Sequence, residues 1–176
     1  MTDQTAQRAG QPYRVLFVCT GNSARSILAE CALRRWGSDR FVSYSAGSHP
    51  KGEVHPQALA LLRRYNYAVD DLRSKAWDEF AGADAPKLDF VFTVCDQAAG
   101  EVCPVWPGQP MTAHWGVEDP AAFVGPPDKV ERKFKDIYLQ LEGRIKVFAA
   151  LRIEGLDRLA LQHRLDSIGQ SEPVPV

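Results

Sequence analysis

The strongest chemical pattern in the chain is Cys19-Thr20-Gly21-Asn22-Ser23-Ala24-Arg25-Ser26, a cysteine and an arginine separated by five small or polar residues and followed by a serine. Small residues let successive backbone N–H groups turn inward as a nest for an anion. Arginine at the far end closes the ring with a planar fork matched to two oxygens of a tetrahedral oxyanion. The same field favours a thiolate at Cys19, which predicts a pKa below the free value of about 8.5. Ser26 can donate a further hydrogen bond to the sulfur. C-x5-R arises by chance in many chains, so its weight here comes from its setting. The apolar run Tyr13 to Val18 leads straight into it, and a helical pattern follows whose positive end adds to the anion site. Cys19 is the expected nucleophile, and Thr20, Gly21, Asn22, Ser23, Ala24, Arg25 and Ser26 the expected substrate cradle.

These residues must be held by a strand, a tight loop and a helix in that order. Residues 13–18 read as a strand buried on both faces. In the helix after the loop, Ile27, Leu28, Cys31, Ala32 and Trp36 form the apolar stripe, with Glu30, Arg34 and Arg35 off it and Gly37 as the stop. Residues 41–46 (FVSYSA) predict a second strand, and His55-Pro56 opens a second helix that Asn66 ends. Loop follows over 71–87, with a short helix at 77–81. The third strand, 88–94 (LDFVFTV), runs directly into Cys95. A short strand at 111–115 precedes Pro126-Pro127-Asp128, which opens the longest helix along Val130, Phe134, Ile137, Tyr138, Leu141, Ile145 and Phe148. Leu161, Leu165 and Ile168 mark a small C-terminal helix. Strands alternating with helices imply a parallel sheet with right-handed crossovers, whose ligands bind beyond the carboxyl ends of the strands. Cys19 and Cys95 each follow a strand, so neighbouring strands would bring both sulfurs to one rim.

A length of 176 residues suits one α/β domain. The expected organisation is a flexible leader over 1–12, a catalytic domain over 13–151, and an extension over 152–176 with a short helix and a disordered tail. A net charge of −1 gives no global case for nucleic acid or membrane binding. No apolar run approaches the ~18 residues of a spanning helix. The polar start, Met1 to Gln11, does not read as a signal peptide, so the expected compartment is the cytoplasm. There, four cysteines are catalytic, metal-binding or buried rather than structural disulfides.

VLFVCTGNSARS, the Ser45-Ala46-Gly47 triplet and the Asp119-Pro120 pair resemble the low-molecular-weight protein tyrosine phosphatase family over roughly residues 13–151. His114-Trp115-Gly116 before Asp119-Pro120, and two cysteines after the third strand, are most similar to its arsenate reductase branch. The resemblance implies a three-layer α/β fold with a four-stranded parallel sheet in the order 2-1-3-4, and Asp119 as general acid. It implies reduction of arsenate to arsenite, with no tightly bound cofactor and no metal. Cys19 would form the first adduct, and Cys95 then Cys103 would relay the electrons to an external thiol reductant, thioredoxin or a small thiol. For Cys95 and Cys103 the other readings are two buried thiols or a metal clip with His114, although no compact zinc spacing and no fourth ligand is evident. A phosphatase hydrolysing phosphate monoesters would need every residue up to the first adduct but neither downstream thiol. In tyrosine-specific members aromatic residues follow the Asp-Pro pair, whereas Ala121-Ala122-Phe123 stands here. A non-enzymatic oxyanion or redox sensor would have no use for Asp119 as an acid.

The chain departs from its relatives in two places: reductases of this kind usually have one residue fewer between the second and third cysteines, and many relatives carry a cysteine where Ala24 stands. Some bind potassium through groups matching Asn22, Glu30, Ser45 and a downstream aspartate. That last position is Lys75 here, whose ammonium would repel the ion. Cys31 reads as a buried inert thiol, and His49, His55 and His163 as surface or capping residues. His114 and Trp115 are expected to position the Asp119 loop.

Overall fold

The computed structural model describes residues 10–101 and 103–171; most of the expected leader and most of the expected tail lie outside them. Four strands, β1 (Tyr13–Cys19), β2 (Phe41–Gly47), β3 (Phe90–Thr93) and β4 (Met111–His114), form one all-parallel sheet in the order β2-β1-β3-β4. The order is the one the family resemblance implies. β1 is central and apolar from Val15 onward, because parallel sheets are covered on both faces: Val15 to Val18 are fully buried. β3 is shorter than its apolar run suggests; just before it, the Asp89 side chain accepts a hydrogen bond from the Arg14 backbone N–H at 2.8 Å.

Helices α1 (Arg25–Trp36), α2 (Pro56–Arg64), α3 (Asp96–Ala99), α4 (Pro127–Ala149) and α5 (Arg158–Gly169) cover the sheet. α1 departs from the expected stripe. Residues Ser26 to Leu33 are all buried, Glu30 among them, while Trp36 is 44% exposed. α1 packs between the sheet and α4, so no face of its first two turns reaches solvent. Trp36 instead lays its ring under Lys146 and donates Nε1 to Glu142 at 3.2 Å. α4 follows its predicted stripe from Phe134 to Phe148, with Val130 only half-buried. His55 caps α2 by accepting the Gln57 N–H, and Asn66 takes the left-handed conformation (φ 62°) just beyond the helix. An aromatic cluster of Phe17, Phe92, Trp115 and Phe148 forms the centre of the core, with Trp115 stacked on Phe92 at 3.9 Å.

Candidate active site

β1 ends at Cys19, and residues 20–24 turn tightly before α1 begins at Arg25. The carbonyls of this loop point outward, because a second loop accepts the task of satisfying them. Backbone N–H groups of Ser48, His49, Lys51 and His55 donate to the carbonyls of Cys19, Thr20, Gly21 and Ser23 at 2.8–3.2 Å. Oriented carbonyls leave the loop N–H groups facing the other way, into the cavity. Gly47 permits the approach: a Cβ there would sit 2.5 Å from the Thr20 carbonyl oxygen. Asn22 adopts φ 43° at the turn, a conformation asparagine tolerates better than most residues. The result is a cavity of about 160 Å³ lined by Cys19, Thr20, Gly21, Ser23, Ala24, Arg25, His49, Lys51, Gln97 and Asp119. That volume suits a small inorganic oxyanion and is below the ~300–1,000 Å³ of pockets that enclose drug-sized ligands. No benzene or indole ring is among its lining residues.

Asn22 and Ser26 lie beneath the cavity, both fully buried. Asn22 Oδ1 accepts the Lys75 backbone N–H (2.9 Å), which fixes the amide so that Nδ2 donates to Ser45 Oγ (3.0 Å) and Ser26 Oγ (2.8 Å). Ser26 Oγ already accepts from Asn22, so its own hydrogen is left for Cys19 Sγ, 2.8 Å away. Asn22 N–H also reaches the sulfur at 3.3 Å. Ser45 in turn donates to Glu30 Oε2 at 2.6 Å. The Lys75 ammonium reaches the same Ser45 hydroxyl at 3.5 Å, which places a lysine where the resemblance locates a potassium ligand. Burial pushes the Glu30 carboxyl up and the Lys75 ammonium down, and each charge opposes the shift of the other.

The expectation of a depressed Cys19 pKa is not met. Cys19 is 2% exposed, and loss of hydration pushes its thiol above the ordinary value, with the Ser26 hydroxyl and Arg25 pulling only partly back. The backbone N–H groups of Asn22, 3.3 Å from Sγ, and Ser26 favour the thiolate but do not outweigh the loss of hydration.

Arg25 Nη1 donates to the Val117 carbonyl at 3.2 Å and Nη2 lies 3.6 Å from Asp119 Oδ2. Asp119 caps the turn at Pro120–Ala122 through Oδ1, which accepts the Ala121 N–H at 3.0 Å. Its other oxygen is thus turned toward Arg25 and the cavity. Cys95 stands two residues past β3, on the rim next to Cys19, as adjacency of β1 and β3 dictates. Its sulfur is buried, 3.5 Å from Thr20 Oγ1 and close enough for its charge to act on Cys19. Cys103 is exposed and does not line the cavity. Cys31 is buried in α1, its thiol pushed up to about 12 by desolvation.

His114 bridges Thr93 Oγ1 (2.8 Å) and Asp96 Oδ1 (2.7 Å), tying β4 to the residue after Cys95. Among the described residues no three His, Cys, Asp or Glu side chains gather to hold a metal ion, and no helix is long and apolar enough to cross a membrane. Sequence reasoning missed Lys51, His49 and Gln97. Lys51 lays its stem along Gly21, where an added Cβ would meet it at 3.2 Å, so its ammonium is carried at the cavity mouth. His49 also lies there, 3.8 Å from Glu101. The available signal was that the loop after β2 emerges on the same rim as Cys19.

A sequence profile for the low molecular weight phosphotyrosine protein phosphatase family matches residues 14–159. The arsenate reductase of Halalkalibacterium halodurans is 33% identical over 135 residues, covering 77% of this chain and 94% of that protein. The solved arsenate reductase of Archaeoglobus fulgidus superposes with a TM-score of 0.61 at 26% identity, over 78% of this chain and 99% of that one. The thioredoxin-dependent arsenate reductase of Corynebacterium glutamicum shares the fold, with a TM-score of 0.56 at 24% identity, over 81% of this chain and 63% of that longer one. Fold, loop and profile agree, and the chain belongs to the low molecular weight phosphotyrosine protein phosphatase family.

Proposed function

We propose that this protein reduces arsenate to arsenite, and one observation carries the choice: a second buried thiol, Cys95, stands on the same sheet rim as the nucleophile, 3.5 Å from the hydroxyl of the adjacent Thr20. A phosphatase has no use for it. The relatives at about one-third identity are arsenate reductases, which agrees. The exposed Cys103 and the absence of a benzene or indole wall around the cavity point the same way.

Arsenate displaces Asp119 from Arg25 and takes the guanidinium and loop N–H groups as its own partners. A dianion beside Asp119 raises the proton affinity of that carboxyl. The proton lost by the Cys19 thiol is the one the departing oxygen needs, and Asp119 carries it. Cys19 sulfur bonds to arsenic, the oxygen leaves as water, and no net charge is created in the cavity. The Cys95 thiol then attacks Cys19 sulfur and forms a disulfide. The sulfur–arsenic bond breaks with its electron pair on arsenic, which leaves as arsenite carrying the proton. Cys103 exchanges with Cys95, releasing Cys19 as a thiol and moving the disulfide to an exposed site. An external thiol reductant, thioredoxin or a small thiol, closes the cycle.

The test separates reductase from phosphatase. Cys19→Ser should abolish both activities. Cys95→Ser should stall at an arsenylated Cys19. Cys103→Ser should release one arsenite per enzyme and stop at a Cys19–Cys95 disulfide visible by peptide mass spectrometry. Phosphate-ester hydrolysis should survive both downstream changes. Wild-type arsenate turnover by both downstream variants with a thioredoxin system would refute the internal relay.

A further inference from the structure

Helix α5 lies where the family match stops, at residue 159. It grips the end of β4 in three ways. Trp115 Nε1 donates to the Leu165 carbonyl at 2.9 Å, deep in the core. Gln162 Nε2 donates to the Thr112 carbonyl at 2.9 Å, on the edge strand of the sheet. Gly169 packs so closely on His114 that a Cβ there would lie 2.2 Å from its carbonyl oxygen. Arg144 of α4 completes the hold: Nη1 donates to the carbonyls of Trp115 (2.9 Å) and Gly116 (3.0 Å), and Nη2 reaches the Ser171 carbonyl just past α5 at 3.4 Å. None of these groups lines the cavity. The backbone they hold leads to it: the Val117 carbonyl holds Arg25, and Asp119, which lines the cavity, follows two residues later.

We propose that α5 is a positioning element of the active site, gripping Thr112, His114 and Trp115 while Arg144 of α4 holds Gly116, so that Val117 aims Arg25 and the turn beyond it aims Asp119. The inference rests in part on the reading of Asp119 as general acid, and in part on Arg25 alone. A helix that only covered the sheet edge with Leu161, Leu165 and Ile168 would affect stability and leave the cavity unchanged. A positioning helix acts on geometry, where a displacement of ~1 Å can change rate by ~10²-fold.

The experiment uses the full chain. Gly169→Ala forces α5 and the His114 carbonyl apart, and Gly155→Ala is the control, since nothing lies within 4 Å of a Cβ there. Gln162→Ala loosens the same grip without touching the core and serves if Gly169→Ala does not fold. The readouts are kcat for arsenate and the inhibition constant of inorganic phosphate, alongside melting temperature. Gly169→Ala should lower kcat on the order of 10-fold and raise the phosphate constant several-fold. Gln162→Ala should do the same more weakly, and the control should match wild type. The kcat loss should shrink when Gly169→Ala is added to Asp119→Asn, leaving only the share carried by Arg25. Wild-type kcat and phosphate inhibition in both variants, whatever their melting temperatures, would overturn the proposal. So would an undiminished kcat loss in the Asp119→Asn background with phosphate inhibition unchanged. If Asp119→Asn alone turned over normally, the acid assignment would fail, and the phosphate constant alone would decide the role of α5.

Discussion

Replacing Ser26 with alanine isolates the hydrogen bond that most favours the Cys19 thiolate. Ser26 Oγ lies 2.8 Å from the sulfur, and its hydrogen is committed there because Asn22 Nδ2 already donates to the same oxygen. A hydrogen bond to a charged group contributes ~1.5–3 kcal/mol. At ~1.4 kcal/mol per factor of ten, its loss should cut the thiolate population of the free enzyme about 10- to 100-fold at neutral pH. The bond stabilises the charged form, so its removal pushes the thiol further up, in the direction that burial already drives it. The assay is alkylation of Cys19 by iodoacetamide as a function of pH, in a Cys95→Ser/Cys103→Ser background so that only Cys19 and the inert Cys31 remain. The variant profile should move to higher pH while the fully ionised plateau stays near wild type. An unmoved profile would mean that Ser26 does not donate to the sulfur, and the orientation deduced for the Asn22 amide would fall with it.

Asp119→Asn keeps the shape of the acid and removes its proton, so arsenate turnover should fall by ~10²- to 10⁴-fold with little change in phosphate binding; an unchanged rate would mean another acid. Gly47→Ala would bring a Cβ to 2.5 Å from the Thr20 carbonyl, and chemical denaturation should show a loss of ~1–3 kcal/mol. Because the Cys31 thiol is pushed up to about 12, it should resist alkylation in the native protein at pH 8–9. A raised folded-state pKa means the stability it confers is present below the unfolded thiol pKa of ~8.5 and lost as pH rises toward about 12. Lys75 supplies the positive charge beside Glu30 and Ser45, so the melting temperature should be indifferent to potassium against choline at fixed ionic strength. Lys75→Asp should make it potassium-dependent, and a potassium-dependent wild type would refute the assignment.

The strand–loop–helix unit was legible because its signals are local: an apolar run, five small or polar residues, an arginine and a helical stripe. The same applies to α4, whose stripe from Phe134 to Phe148 is buried as its spacing requires. Adjacency of Cys19 and Cys95 came from topology, which the family resemblance supplied and the register of β1 against β3 bears out. What was not legible depends on contacts between distant segments. Glu30 stands off the helical stripe, and its partners Ser45 and Lys75, 15 and 45 positions away, are announced by the family resemblance and not by any periodicity. Lys51 and His49 were hidden because backbone bonds from their loop to residues 19–23, not their own spacing, carry them to the cavity. The direction of the Cys19 pKa was missed because motif chemistry counts charges and donors, whereas desolvation is set by how tightly the finished fold closes.

The proposed relay from Cys95 to Cys103 requires motion, and the structure shows what resists it. Disulfide bonding brings Cα atoms to roughly 4.4–6.8 Å, yet Cys95 is buried beside Thr20 while Cys103 is exposed. Between them α3 is one short turn, with Ala98 as its buried side chain. Among the described residues, two side-chain ties from outside hold the segment between them, His114 to Asp96 and His49 to Glu101. The Asp96 side chain is 94% exposed and that of His49 77%, so each tie has one solvent-exposed partner, and such contacts contribute only ~0–1 kcal/mol each. Opening the segment therefore costs a small fraction of a typical folding free energy of ~5–15 kcal/mol, as expected of elements drawn from the low-stability end of a fold. Cys31 makes the contrast: equally buried, it sits in a helix enclosed by the sheet and α4 and cannot leave without unfolding α1. Both thiols are buried, but the weak ties on the segment after Cys95 suit the motion that the proposed relay demands, and the enclosure of Cys31 does not.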